Sequence, residues 1–199
     1  MRVLIVGASG TIGRAVVAEL GGRHELLTAG RSSGELQVDI TSPASIRAMF
    51  ERAGRVDAVV ATAGKVKFAP LEAMTAEDYQ IGINDKLMGQ VNLVLIGRAF
   101  VNDGGSFTLT TGVLDHDPVR LGTSASMVNG AVNAFVLAAA IEMPRGLRIN
   151  AVSPGVITEA MEGYAPYFRG FEPVPAARAA LAYAKSVEGA QTGQVYRVL

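Results

Sequence analysis

The chain contains no cysteine and no tryptophan among its 199 residues. Without thiols there is no disulfide framework, no thiolate nucleophile and no cysteine-bound metal, and a cytoplasmic setting is the expectation that goes with it. Histidine is almost as scarce. His24 and His116 are the only two, too few for a histidine-built centre, so no metal is expected. Neither sign of charge is in excess, since 18 Lys plus Arg meet 18 Asp plus Glu. That removes the basic field on which nucleic-acid binding rests. Long apolar runs are also missing. The most apolar helical stretch, residues 131–141, is too short for a bilayer, so no membrane partner is expected. The first strand starts so close to Met1 that no signal peptide is expected either. What is present is a composition 49% hydrophobic, enough for one folded domain, residues 1–199, with a sizeable core.

The most informative stretch lies at the start. Val3-Leu4-Ile5-Val6 runs straight into Gly7-Ala8-Ser9-Gly10-Thr11-Ile12-Gly13, and Ala15-Val16-Val17-Ala18-Glu19-Leu20 follows at helical spacing. The order is strand, tight turn, helix. Glycine supplies positive φ and lets the backbone come close to a bulky anion. The helix start offers free N–H groups and a positive dipole end. Gly7, Ser9, Gly10, Thr11, Ile12 and Gly13 are therefore expected to cradle the pyrophosphate of a dinucleotide. The spacing is G-x-x-G-x-x-G rather than G-x-G-x-x-G.

Strand-like segments recur at 25–29, 36–39, 56–62, 106–110, 147–152 and 194–198. Helical patterns fall between them. Ser42-Pro43 opens one helix as cap and first-turn proline. Thr75-Ala76-Glu77-Asp78 opens a long one, expected over 75–101, with a capping box. Further helices are expected over 124–143 and 175–187. This alternation predicts an α/β fold: a doubly wound, mainly parallel sheet with helices on both faces. Ligands of such sheets sit beyond the carboxyl ends of the strands. The loops after Val6, Ala29, Val38, Thr62, Thr110 and Val152 should line the site.

The loop after the second strand bears on the cofactor. An NAD site presents Asp or Glu to the ribose hydroxyls about twenty residues after the glycine turn. Here Thr28-Ala29-Gly30-Arg31-Ser32 carries no acid. Arg31 and Ser32 instead suit a 2′-phosphate, which makes NADP the expected cofactor and NAD the alternative. Asp39 could accept from the adenine amino group or be a plain turn aspartate.

Together these pieces resemble the short-chain dehydrogenase/reductase family over essentially the whole chain. The matching elements are the glycine turn, Asp39-Ile40, Ala61-Thr62-Ala63-Gly64 (N-N-A-G in the family), and Arg148-Ile149-Asn150-Ala151-Val152-Ser153-Pro154-Gly155-Val156-Ile157-Thr158. The resemblance implies a Rossmann-type fold and hydride transfer between NADP(H) and a small carbonyl or alcohol. It implies that Ile40, Ala61, Ala63, Gly64 and Thr110 flank the cofactor, that Pro154, Gly155, Val156 and Ile157 lie along the nicotinamide, and that Thr158 reaches its carboxamide or a phosphate. It also implies a homodimer or homotetramer. Ala138, Ala139 and Ala140 would permit close helix approach, or equally packing on the sheet.

The catalytic signature of the family departs here. Its Tyr-x-x-x-Lys stands on a helix just before an alanine-rich stretch, matched by Gly130-Ala131-Val132-Asn133-Ala134-Phe135. Counting back puts Asn129 in the lysine slot and Ala125 in the tyrosine slot, and no tyrosine occurs between Tyr79 and Tyr164. Asn129 could still hydrogen-bond the ribose. Thr111 falls where the family has its serine. Lys86, in Lys86-Leu87-Met88-Gly89, falls where the family has an asparagine. It could replace the missing cation, act as the acid if burial lowers its pKa, or be a snorkelling surface lysine. Lys65 and Lys67 could rim the cleft, and His116 between Asp115 and Asp117 could donate a proton or mark a turn. Tyr164 and Tyr167 fall in a segment expected to form a lid. Two functions follow: an oxidoreductase with a non-standard proton donor acting on a small molecule, or a non-catalytic NADP(H)-binding sensor or partner subunit.

Overall fold

A computed structural model describes all 199 residues. Seven parallel strands form one sheet in the order β3-β2-β1-β4-β5-β6-β7. They are β1 (Arg2–Val6), β2 (Glu25–Gly30), β3 (Leu36–Gln37), β4 (Val56–Ala61), β5 (Val101–Thr110), β6 (Arg148–Pro154) and β7 (Val195–Val198). The inner strands are apolar on both sides because helices cover both. On one face α1 (Thr11–Leu20) packs against α7 (Ala176–Glu188), which follows the single-turn helix α6 (Met161–Tyr164). Between them and the sheet lie Val16, Leu20, Tyr183 and Val187. On the other face α2 (Pro43–Ala53), α4 (Met88–Gly97) and α5 (Thr123–Ala140) cover Phe50, Leu93, Phe107 and Val132. The chain reverses direction across the sheet between β1 and β4, and a crevice opens there at the strands' carboxyl ends.

Helix starts follow the sequence signals. The Ser42 hydroxyl accepts from the Ser45 N–H at 3.3 Å, with Pro43 in the first turn of α2. Thr75 and Asp78 exchange both bonds of a capping box, each at 3.3 Å, to open α3 (Ala76–Gly82).

Three boundaries differ from expectation. The long helix is not one regular helix to residue 101. It is α3, a π-turn over Ile83–Leu87, and α4, which ends at Gly97. A Cβ on Gly97 would come within 2.6 Å of the Phe50 ring, so the glycine lets α4 press onto α2. Strand β5 starts at Val101 rather than 106 because Asn102-Asp103-Gly104-Gly105 bulges inside it. Val56 pairs with Val101, but Ala58 already pairs with Ser106. Those four residues have turn chemistry and hid the strand. Finally, α5 ends at Ala140 rather than 143, and its 18 residues together, not only the 131–141 stretch, are apolar enough by composition to cross a membrane. One side of it is packed against the protein interior through Ala125, Val128, Asn129, Val132, Asn133 and Val136.

Candidate active site

The glycine turn is shaped by contacts that no side chain would allow. Gly7 has φ +91°, and a Cβ there would lie 2.7 Å from the Ala63 amide. At Gly13 a Cβ would lie 2.1 Å from the Gly7 carbonyl oxygen, so α1 can start only if residue 13 is glycine. Gly13 is buried, and its lack of a side chain serves packing. Thr62 holds the turn from the neighbouring strand, its hydroxyl 3.1 Å from the Val6 carbonyl and 3.0 Å from that of Gly7. No side chain caps α1, and the N–H groups of Thr11, Ile12 and Gly13 find no backbone acceptor. Three donors at a positive helix end, beside a cradle that any Cβ would fill, fit a dinucleotide pyrophosphate.

Two connected cavities meet at Thr62 and Gly64. The one on the β2 side, about 400 Å³, is lined by Gly7, Ser9, Gly10, Arg31, Ser32 and Ile40, among others. The Arg31 guanidinium stands at its mouth, 2.9 Å from Asp39 and 3.9 Å from Asp85. Asp39 itself does not line the cavity. Its carboxylate accepts from the Thr41 hydroxyl and amide and from Arg31, and these bonds hold its pKa below the ordinary range. Ser9 is bonded to Ser33, 2.9 Å away, rather than to Ser32.

The second cavity, about 430 Å³, lies over the ends of β5 and β6. Thr11 and Ile12 reach it from α1, and Pro154, Gly155, Val156 and Ile157 line it from β6. Thr158 is exposed and outside the lining. Thr110 and Ala61 are also outside it and have structural roles. The Thr110 hydroxyl lies 2.5 Å from the Ala61 carbonyl and 2.6 Å from the hydroxyl of Tyr183, whose pKa burial raises.

Lys86 and Asn129 face this cavity from opposite helices and bond consecutive carbonyls. The Lys86 Nζ donates to the Thr111 carbonyl at 3.2 Å, and the Asn129 Nδ2 to that of Gly112 at 3.2 Å. Lys86 has no carboxylate partner, and burial pushes its pKa down to about 8. It stands on the π-turn, a distortion frequent at functional positions. Its stem crosses Gly64 so closely that a Cβ there would lie 2.8 Å from Lys86 Cγ. The Asn129 Oδ1 is buried without a partner, an acceptor open to a ligand hydroxyl. Ala125, one helical turn before Asn129, offers only a methyl group. The Thr111 hydroxyl makes one long contact, 3.4 Å to the Val152 carbonyl.

Gln90, which the sequence did not single out, holds this arrangement in place. Its fully buried amide donates to the Lys86 carbonyl (3.0 Å) and the Thr110 carbonyl (2.9 Å) and accepts from the Thr110 N–H (2.7 Å). It therefore ties the π-turn to the end of β5. The anchoring role of Thr62 was also missed, while Lys65, read as a possible rim residue, lines the β2-side cavity together with Asp85. The Asp85 carboxylate accepts from the Lys65 N–H at 2.9 Å.

The outer wall is aromatic. Phe68 meets Tyr164 edge-on at 5.8 Å, and Tyr164 meets Phe168 at 6.0 Å. Tyr164 lines the cavity, whereas Tyr167 stands behind Phe68. His116 lies outside this cavity, bonded to Asp115, which also accepts from Asn133. Lys67 is paired with Asp78 at 3.2 Å.

The chain belongs to the short-chain dehydrogenase/reductase family. A family model described as enoyl-(acyl carrier protein) reductase matches residues 12–198. An uncharacterized oxidoreductase of Methylorubrum extorquens is 31% identical over 165 residues, covering 79% of this chain and 64% of that protein. The chain thus spans less than two thirds of that relative. A hydroxynaphthalene reductase-like protein of Metarhizium brunneum is 25% identical over 181 residues, covering 76% of this chain and 66% of its own. Among solved structures, the protein lin1944 from Listeria innocua has a TM-score of 0.99 and 53% identity, with both chains fully covered. A small-chain dehydrogenase in complex with NADPH has a TM-score of 0.89 and 26% identity, covering 100% of this chain and 96% of its own.

Proposed function

We propose that this protein is an NADP(H)-dependent oxidoreductase acting on a small carbonyl or alcohol, with Lys86 in place of the family's usual proton donor. The observation that carries the reading is the Lys86 amine, without a carboxylate partner, inside the cavity that joins the glycine-turn cleft. Ala125 and Asn129 stand where the resemblance puts the family's tyrosine and lysine. Neither can exchange a proton near neutral pH. Lys86 and Asn129 thus carry the family's cation and amide on exchanged helices. The bound nicotinamide would supply or accept the hydride.

In this reading the protein's own groups do the rest. The N–H groups of Thr11, Ile12 and Gly13 hold the pyrophosphate, and Arg31 with Ser32 takes the 2′-phosphate. The Asn129 Oδ1 accepts from a ribose hydroxyl. The Thr111 hydroxyl steadies the substrate oxygen, and the Lys86 ammonium donates the proton that oxygen needs on reduction. The NADPH-bound small-chain dehydrogenase supports the choice of cofactor. A second reading, cofactor binding without turnover, is favoured by the methyl group at Ala125. Measuring NADPH affinity, then NADPH oxidation over a panel of ketones, aldehydes and quinones, separates the two. Turnover on any of them supports the enzyme; tight binding with none supports the sensor or partner subunit.

We also propose that two copies associate through α4 and α5, where Leu95, Leu137 and Ile141 are exposed. Sedimentation of Leu137→Glu beside the parent protein checks this, and an unchanged mass would reject that face.

A further inference from the structure

Four lysines occur in the chain: Lys65, Lys67, Lys86 and Lys185. Lys65 is exposed, Lys67 is paired with Asp78, and Lys185 lies over the Tyr196 ring at 5.0 Å. Lys86 alone lines the cavity over the ends of β5 and β6, and no other charged side chain does. The apolar part of the wall is Val66, Phe68, Val113, Leu114 and Phe168, and the polar part is made of neutral groups such as Thr11, Thr62, Thr111 and Asn129. The only protein group its nitrogen meets is a neutral acceptor, the Thr111 carbonyl. Among titratable side chains, Tyr164 lines the same cavity, and Asp85, one residue before Lys86, is turned towards Arg31 and the Lys65 amide.

We propose that Lys86 is a covalent capture site for apolar aldehydes, which enter this cavity and condense with its amine to an imine. An amine in a cavity without a counter-ion spends more of its time neutral, as nucleophilic lysines require. Burial lowers its pKa to about 8, which agrees. The neutral amine can keep one N–H on the Thr111 carbonyl and leave its lone pair free for the cavity. That lone pair bonds to the aldehyde carbon, and the carbonyl π electrons move to oxygen. Nitrogen gives up its protons, oxygen takes them and leaves as water, and a C=N bond remains. Nothing is oxidised or reduced. The aromatic wall of Phe68, Tyr164 and Phe168 suits a ring-bearing aldehyde over a charged one. The inference goes beyond the reductase reading and does not depend on it, since condensation needs no hydride.

The experiment is reductive trapping on the whole, nucleotide-free protein. Benzaldehyde and sodium cyanoborohydride are added near pH 8, and the benzylated lysines are mapped by mass spectrometry. At that pH a lysine of ordinary pKa is almost wholly protonated, so Lys86 is expected to be labelled about tenfold faster than Lys65 or Lys67. Glyoxylate in place of benzaldehyde should abolish that advantage. The comparison is internal to one folded protein, so it does not hang on a variant that folds. Lys86→Arg should remove the fast site and leave the others. Labelling of Lys86 no faster than Lys65, or equal preference for glyoxylate, would overturn the proposal. Absence of NADPH turnover would leave it standing and strike only the reductase reading.

Discussion

On the side of Gly7 and Arg31 the cleft is built from backbone; on the side of Lys86 and Phe168 it is built from side chains. The first half works through absent Cβ atoms and unbonded N–H groups at Gly7, Gly13, Thr11 and Ile12. It tolerates almost no change of residue but asks little of neighbouring elements. The second half is assembled by the π-turn, α5, the β6 loop and the aromatic segment around Tyr164, all bordering the cavity that holds one amine. Its residues can vary in type as long as cation, hydroxyl and amide meet. In the proposed reading, holding a cofactor is thus a local property of one turn, while chemistry is a property of how several elements meet.

Substitutions can test that contrast. The largest effect is expected from Gly13→Ala, which drives a methyl into the Gly7 carbonyl. It should cost about 3 kcal/mol in denaturant unfolding and abolish NADPH binding together. A folded variant that still binds would show the turn to be more forgiving than its geometry.

Lys86→Met should lower NADPH oxidation by about a hundredfold or more while NADPH affinity is kept. It also carries a stability signature. The folded pKa of Lys86 lies near 8, below the 10.5 of a free lysine. Between those values the unfolded chain holds a proton that the folded one has lost, so the parent gains stability as pH rises through that window. Below it, the buried charge is a penalty. The methionine variant should therefore melt higher than the parent near pH 7, and the gap should close by about pH 10. A gap independent of pH would mean that Lys86 is solvated.

A smaller effect is expected from Arg31→Ala. NADPH should bind about tenfold more weakly in calorimetry, with NADH little changed. Equal losses for both would move Arg31 out of contact with the 2′-phosphate. The smallest belongs to Asp39→Asn, which frees the guanidinium from its partner and should tighten NADPH about threefold.

How much could be read from sequence divides along the same line. The glycine spacing, the caps at Ser42 and Thr75 and the alternation of apolar runs are local signals, and seven strands and the helices between them follow from them. The strand order adds a parallel sheet with its crevice beside Gly7. Lys86 and Asn129 were found only through register against a family pattern, because nothing local says which side of a helix meets a cavity. Gln90 left no signal at all, and Thr62 only its place in a family motif, with no hint of its anchoring role. Each acts by a hydrogen bond to backbone far away in sequence, 20 residues for Gln90 to Thr110 and 56 for Thr62 to Val6. The π-turn was invisible for a similar reason. Its five residues have ordinary helical composition, and the bulge is fixed from outside by that glutamine.

The pairing of Arg31 with Asp39 gives the guanidinium at the mouth of the cleft an anion of its own. In the proposed reading, a 2′-phosphate arriving there would compete with a carboxylate that belongs to the same molecule and never diffuses away. Selection between the two dinucleotides then becomes a contest between an internal anion and an incoming one. Thr41 would bear on the margin of that contest, because its hydroxyl and amide hold the carboxylate whether or not Arg31 does. In that reading a swap at residue 41 is expected to alter cofactor preference without touching either ligand.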